Sequence, residues 1–422
     1  QTPEQVGSAD REYAAADHRV RHRSECTRMM NAGPYLLSDV ATSAAPSVER
    51  ELLTLADASL DLPPVSVMDK DRVPPSGDRH DWMNLADYFW PNPDSASGMP
   101  YVEYDGRANP EAGLYDRRRF NLLVLSVLRL GAAWKATNQT RYAAKATELL
   151  RHWFLHAETA MNPHLRFAHH VPGGTPGHSA GLIVFCTALP SLLDVWLAIR
   201  RAGLIEEQTH TAMCAWANAF LHWLLTDPMS IEHGRAENNH GTFHDYLLAY
   251  LMLFLDRLDD ARDLLSSALR LRLSTQINAT GEQPQETRRT LSAQYSLANL
   301  KALMSLATLA EAAELDGWRR DAGQPPILRA TEFLYRHATG DAPWPYPQLE
   351  PPNWWFLTPL CLVANRSYDQ AFDVSRIPMA VSDGAVPMEP VVFMPGWELV
   401  YAPSHRQHLP TSRGKQNRVA GD

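Results

Sequence analysis

Three stretches of this sequence combine residue types that can move protons or hold an anion. In Glu237-Asn-Asn-His-Gly-Thr-Phe-His-Asp245, two amides, an imidazole and a glycine stand where a polar loop meets a helix expected to begin near His244. Asn238 and Asn239 can donate to a carboxylate or cap that helix, and His240 can exchange a proton near neutral pH. An asparagine cap beside a surface histidine accounts for the same residues. In the second stretch, Pro284 to Leu300, Arg289, Ser292, Ser296 and Asn299 recur at helical spacing with Tyr295 one step aside. Leu297, Leu300, Leu303 and Leu306 face the other way. A guanidinium fork at a helix start suits a carboxylate. The alternative is an Arg289–Glu286 ion pair that holds a loop, with Tyr295 as a core residue.

The third stretch is rich in histidine. His152, His156, His164, His169, His170 and His178 lie between Arg151 and Asp194, where Glu158 is the only acid. Such a field attracts an anionic ligand, although solvated or satisfied buried imidazoles explain most of these positions as well. No HExxH motif and no cysteine–histidine pairing occurs, so neither a metal nor another cofactor is expected. Asp94, Asp105 and Glu111 can hold a structural cation or be solvated charges. Trp82, Tyr88, Trp90, Trp344-Pro-Tyr-Pro-Gln348 and Trp354-Trp355 can stack on sugar rings or fill a core.

The elements that must position these residues are mostly helical. Leu122, Leu125, Leu128 and Ala132 form one apolar stripe, and Tyr142, Ala146, Leu149, Leu150 and Trp153 a second. Further stripes follow at 182–203, 208–226, 244–256, 259–275, 294–314 and 327–337. Helical hairpins of roughly 45 to 50 residues recur, which fits an α-solenoid or an α/α toroid. Residues 1–45 are expected to form an N-terminal arm with a helix near Tyr13 to Met30. The main domain spans 46–370, and 371–422 form an extension with short β-like pieces such as Val391 to Met394 and a loose end. The irregular, aromatic connection at 61–112 is too long to be a simple linker.

Composition narrows the function further. Of 422 residues, 45% are hydrophobic and 21% charged, as in a globular protein. The net charge of −9 lacks the basic excess of a nucleic-acid binder. No uninterrupted apolar run reaches about 18 to 20 residues, so no membrane partner is expected. Cys26, Cys186, Cys214 and Cys361 are too scattered for a disulfide scaffold. The first residue is Gln1 rather than Met, and sequons occur at Asn138, Asn278 and Asn365. Both features are compatible with a secreted or periplasmic protein that has lost a signal peptide.

Read in order, several segments resemble the alginate-lyase domain family over roughly residues 80 to 365. They are Tyr88-Phe-Trp-Pro-Asn-Pro-Asp94, Gly98 to Glu111, Trp153-Phe with Met161-Asn-Pro-His-Leu165, and Val171-Pro-Gly173 to Ile183. Asn238-Asn-His-Gly241, Gln276 to Pro284, Arg289-Thr-Leu-Ser292, Tyr295 to Leu300 and Trp344 to Gln348 complete the set. The resemblance implies an all-α fold, an incomplete α/α toroid of helical hairpins. The NNHG form and the His240–Tyr295 spacing look closer to polysaccharide lyase family thirty-eight, of glucuronan and alginate lyases, than to family five. His233 stands where the family pattern suggests an acid, His169-His170 replaces a polar pair, and Asn92 interrupts a more aromatic run.

The resemblance implies that Asn239 and Arg289 neutralise a uronate carboxylate while His240 and Tyr295 move protons. Arg289 and the histidines would then lower the Tyr295 pKa. Asn238, His169, His170, His178, Glu286, Trp90, Trp344 and Gln348 are the expected substrate contacts. The activity implied is β-elimination from glucuronan or alginate, leaving an unsaturated uronate end. A glycoside hydrolase needs two carboxyl groups astride the bond. Asp87, Asp105, Glu237, Asp245 and Glu286 are the candidates for it. A polysaccharide-binding protein on the same scaffold is the third reading.

Overall fold

The computed structural model describes residues 46–174, 179–319, 323–370 and 372–378. The N-terminal arm, the Val391 to Met394 piece and His178 lie outside the described residues. So does nearly all of the C-terminal extension.

Twelve α-helices are described: α1 (Pro46–Leu60), α2 (Arg117–Thr137), α3 (Thr140–Phe154), α4 (Ile183–Arg201), α5 (Glu207–Thr226) and α6 (Pro228–Gly234), followed by α7 (Asn239–Phe254), α8 (Leu258–Gln276), α9 (Pro284–Thr287), α10 (Ser292–Ala312), α11 (Pro326–Ala338) and α12 (Leu357–Tyr368). Helices α2, α4, α7 and α10 pack in succession as an inner layer. Helices α3, α5, α8 and α11 lie outside them, each against its inner neighbours. This is the α/α toroid.

The two layers differ in sequence for a physical reason. The outer helix α3 buries Tyr142, Ala146, Leu149, Leu150 and Trp153 on one face. The inner helices are buried on almost every side, and in α7 every residue from Gly241 to Phe254 is buried. Helix α2 therefore buries Leu123, Val124, Val127 and Leu130 as well as Leu128 and Ala132, so the single stripe expected there was too narrow. The segment Ala180–Arg201 is long and apolar enough to cross a membrane, against expectation, yet 94% of its most apolar window is inside the protein. It is an inner helix, flanked by α2, α3 and α7. Cys186 is buried and Cys214 half-buried, and burial pushes the Cys214 thiol up to about 11.

The connection at 61–112 carries β1 (Met83–Leu85), β2 (Phe89–Trp90) and β3 (Val102–Glu103). Strand β1 pairs in parallel with β4 (Phe167–His170), and β2 pairs antiparallel with β3. A buried ion pair anchors this layer to the toroid. Lys70 Nζ donates to the carbonyls of Val67 and Arg79 at 2.5 and 2.6 Å and lies 3.2 Å from Asp116 Oδ2. The same Asp116 oxygen accepts from Met83 N at 2.8 Å, at the head of β1. Both charged side chains have no exposure. Removing one partner leaves a buried charge uncompensated. Lys70→Met is therefore expected to cost about 3–5 kcal/mol of unfolding free energy in urea denaturation; a change within about 0.5 kcal/mol would refute the anchor.

Candidate active site

The helix bearing the amide–histidine motif starts five residues earlier than expected, because Asn238 caps it. The Asn238 side chain accepts from His240 N at 3.2 Å, so Asn239, His240 and Gly241 form the first turn of α7. Gly241 is required there: a Cβ would lie 2.1 Å from the Ala236 carbonyl oxygen and 2.6 Å from Arg272 Nη1. Arg272 in turn binds the carbonyls of Ala236 and Gly234, both at 2.6 Å, and Asp245 at 2.8 Å. The turn between α6 and α7 is thus clamped from α8.

Beneath this turn lies Glu286, fully buried in α9. Its carboxylate accepts from Asn239 N at 2.6 Å and Asn239 Nδ2 at 2.8 Å. An anion under a helix N-terminus is favourable, while burial pushes the Glu286 carboxyl up to about 7. Two expectations need correcting here. Asn239 is completely buried and spends its amide donor on Glu286, so it underlies the cleft rather than meeting a carboxylate within it. Glu286 holds Asn239 in place and is not among the residues lining the cleft.

The polar stripe on α10 also turns inward. Ser296 bonds Ser292, and Asn299 Nδ2 reaches Gln276 at 3.0 Å and Gln283 at 2.9 Å. Gln276 takes Thr242 Oγ1 at 2.9 Å and donates to the Asn238 carbonyl at 3.3 Å. Buried polar groups need such partners; here the partners join α7, α8 and α10. Arg289 stands in the turn before α10, clear of the stripe.

A cleft of about 830 Å³ opens over these elements, and Asn238, His240, His169, Arg289 and Tyr295 all line it. Arg289 does not pair with Glu286. It binds Asp105, with Nη2 2.6 Å from Oδ1 and Nε 3.3 Å from Oδ2, and its Cζ lies 4.1 Å from the centre of the Tyr295 ring. Burial opposes ionisation of Asp105, but bonds from Arg289 and Thr290 outweigh it and hold the carboxyl below its usual range. The Tyr295 hydroxyl is 2.7 Å from that of Tyr88.

Protonation in the cleft differs from expectation. Burial, and then the Tyr88 neighbour, raise the Tyr295 pKa; the downward pull of Arg289 is smaller. The free protein therefore holds Tyr295 as a neutral phenol. Burial, then Arg289 and His169, push His240 down to about 3, leaving it a neutral imidazole. His233 also lines the cleft, 5.0 Å from the His240 ring, and burial holds it well below its usual value. Burial likewise lowers His152, His164 and His170, so these three add little positive field at neutral pH. His164 instead binds Asp81 at 3.0 Å.

The remaining expected contacts stand elsewhere. His170 packs against Tyr115, and Trp90 donates to the Arg107 carbonyl at 2.8 Å. Trp344 sits among Phe333, His337, Tyr346 and Trp354 and donates to Ser292 at 2.9 Å. Gln348 accepts from Ala293 N at 3.1 Å and donates to the Glu350 carbonyl at 2.8 Å. None of these four is among the residues lining the cleft. Tyr88 and Asp105 are the partners that sequence reasoning missed. Both fall in the loop segments that carried the resemblance, but they meet Tyr295 and Arg289 across 207 and 184 residues. Among the described residues no cluster suits a metal ion. Asp87 and Asp105 line the cleft, each tied to an arginine, Arg117 and Arg289. Asp245 is bound to Arg272, and Glu111 accepts from Tyr101.

A family model described as Alginate lyase matches residues 66–344. No curated protein sequence gives a match. The chain is similar to an alginate lyase from Bacteroides ovatus known from a crystal structure, with 28% identity and a TM-score of 0.74, covering 89% of this chain and 97% of that one. Alginate lyase A1-III from Sphingomonas species A1 shares the fold at 14% identity and a TM-score of 0.51, over 88% of this chain and 96% of that one. A form of A1-III complexed with tetrasaccharide gives 15% identity and a TM-score of 0.54 over the same shares. With the match spanning most of the toroid and the cleft, the chain belongs to the alginate lyase family and is a polysaccharide lyase.

Proposed function

We propose that this protein cleaves alginate, and glucuronan as a second 1,4-linked polyuronate, by β-elimination. The observation that carries the reading is that His240, Arg289 and Tyr295 line one cleft, with Arg289 over the Tyr295 ring. The similarity to alginate lyases supplies the polymer; the NNHG form and the His240–Tyr295 spacing add glucuronan. A secreted or periplasmic location would suit a polymeric substrate.

In the reaction the C5–H bond breaks, its electrons form the C4–C5 double bond, and the C4–O4 bond breaks. The proton at C5 is hard to remove while the adjacent carboxylate is fully charged. Arg289 lowers that barrier by pairing with the carboxylate as negative charge develops on it. Asn239 contributes from below, by fixing the turn that carries His240. A base takes the C5 proton and an acid protonates O4. In guluronate these groups lie on opposite faces. A neutral His240 and a protonated Tyr295 are then already in the required states, His240 as base and Tyr295 as acid. In mannuronate and glucuronate both lie on one face, so Tyr295 must act as phenolate first and return the proton to O4. That phenolic proton leaves to solvent, and the Tyr88 hydroxyl at 2.7 Å is placed to donate to the phenolate oxygen left behind.

Two outcomes test this. Tyr295→Phe should lower turnover by about 10²–10⁴-fold while substrate affinity persists, since one hydroxyl is lost; near-parental ultraviolet absorbance growth would remove Tyr295 from the chemistry. The polymers should also differ in pH dependence. With His240 neutral above about 3, polyguluronate turnover should stay level between about pH 5 and 8. Polymannuronate and glucuronan turnover should climb with pH as the phenol ionises. A polyguluronate rate that falls below about pH 6.5 would show that His240 titrates normally and is not the buried base described.

A further inference from the structure

An arginine offers five N–H donors in a rigid planar fork. Asp105 occupies one edge of Arg289, through Nε and Nη2, while the flat face of the fork covers the Tyr295 ring. The remaining Nη1 edge has no partner among the described residues, and Arg289 lines the cleft. Asp105 is itself fixed. Its Oδ2 accepts from Thr290 Oγ1 at 2.8 Å and from Thr290 N at 3.4 Å, and its carbonyl accepts from Thr290 Oγ1 at 3.2 Å. The next residue, Gly106, has φ +76°, and a Cβ there would lie 2.7 Å from Thr290 Oγ1. Only glycine lets this loop come so close to the turn before α10.

We propose that Asp105 is a positioning residue for the lyase reaction: it holds one edge of Arg289 so that the other edge faces the uronate carboxylate and the flat face stays on Tyr295. The proposal rests on the lyase reading of the cleft. The carboxylate of Asp105 also repels the substrate carboxylate that shares its guanidinium. It therefore weakens ground-state attraction while fixing direction, so its loss affects binding and turnover with opposite signs. A residue with only a structural role would worsen both together.

The test is Asp105→Asn, which keeps size and an acceptor for Thr290 but removes the charge. Affinity for a tetramannuronate, measured by calorimetry, should rise severalfold. The kcat on polymannuronate should fall roughly 10- to 100-fold, the scale of a misplaced catalytic contact. The alkaline part of the pH profile should move to higher pH: the displaced Arg289 no longer lowers the Tyr295 pKa, and its pull exceeds the opposing push of Asp105, while Tyr88, His240 and His169 still surround the cleft. Asp105→Glu should restore part of kcat. A crystal structure of Asp105→Asn should show the guanidinium displaced from the Tyr295 ring. An arginine still stacked there, an unchanged kcat, or affinity and kcat falling together would each overturn the proposal. The crystallographic comparison decides the matter even if the parent protein yields no unsaturated product. That result would count against the lyase reading, not against the positioning. If the Asn variant does not fold, Thr290→Val serves the same end. Loosening Asp105 should lower kcat with little change in affinity, and a parental kcat would overturn the proposal.

Discussion

One buried carboxylate holds the chemistry of this protein together. Glu286 receives both the backbone N–H and the side-chain amide of Asn239. In doing so it joins the first turn of α7, which carries His240, to the short helix that precedes Arg289. A carboxylate without exposure is costly unless its hydrogen bonds are met and a favourable dipole lies near. The helix N-terminus supplies both. Gln276 of α8, Gln283 at the cap of α9 and Asn299 of α10 continue the same logic one layer deeper, so the helices that bear His240 and Tyr295 share a polar seam rather than a purely apolar one.

The electrostatics of the cleft follow from burial more than from composition. A row of histidines looks cationic in sequence, yet desolvation keeps the rings of His233, His240, His164 and His170 neutral. The fixed positive charges of the lining are Arg117 and Arg289, each already facing an aspartate. What the cleft offers an anion is one directed guanidinium and several neutral donors and acceptors. It does not rely on a diffuse basic field.

Helix existence and order were legible because apolar segments of helical length recur between polar breaks, with a clear 3.6-residue period in outer helices such as α3, and the observed bounds of α4, α5, α8, α10 and α11 lie within about two residues of the expected ones. The start of α7 was misplaced because a polar capping turn carries no apolar period; Asn238 marks it only once its bond to His240 is seen. Arg289, His240 and Tyr295 were legible through the ordered motifs. The partners of those residues were not. Asp105 and Tyr88 reach them through tertiary contact alone, and no spacing rule links positions so distant in the chain. The sequence also misled about Trp344 and Gln348, whose polar atoms serve the neighbouring backbone and Ser292.

Tyr295 sits on a deeply packed helix, whereas the Tyr88 hydroxyl that meets it belongs to the β-bearing connection between α1 and α2. Residues 87–114 of that connection are mostly half-buried or exposed, unlike the inner helices. Regions with fewer buried contacts open at lower free energy than the core. After its own burial, the acidity of Tyr295 thus depends most on a part of the chain that is packed less firmly than the helices. Catalytic competence and helical integrity are separable properties in this molecule: a toroid with every helix in place can be silent once one loop lets go.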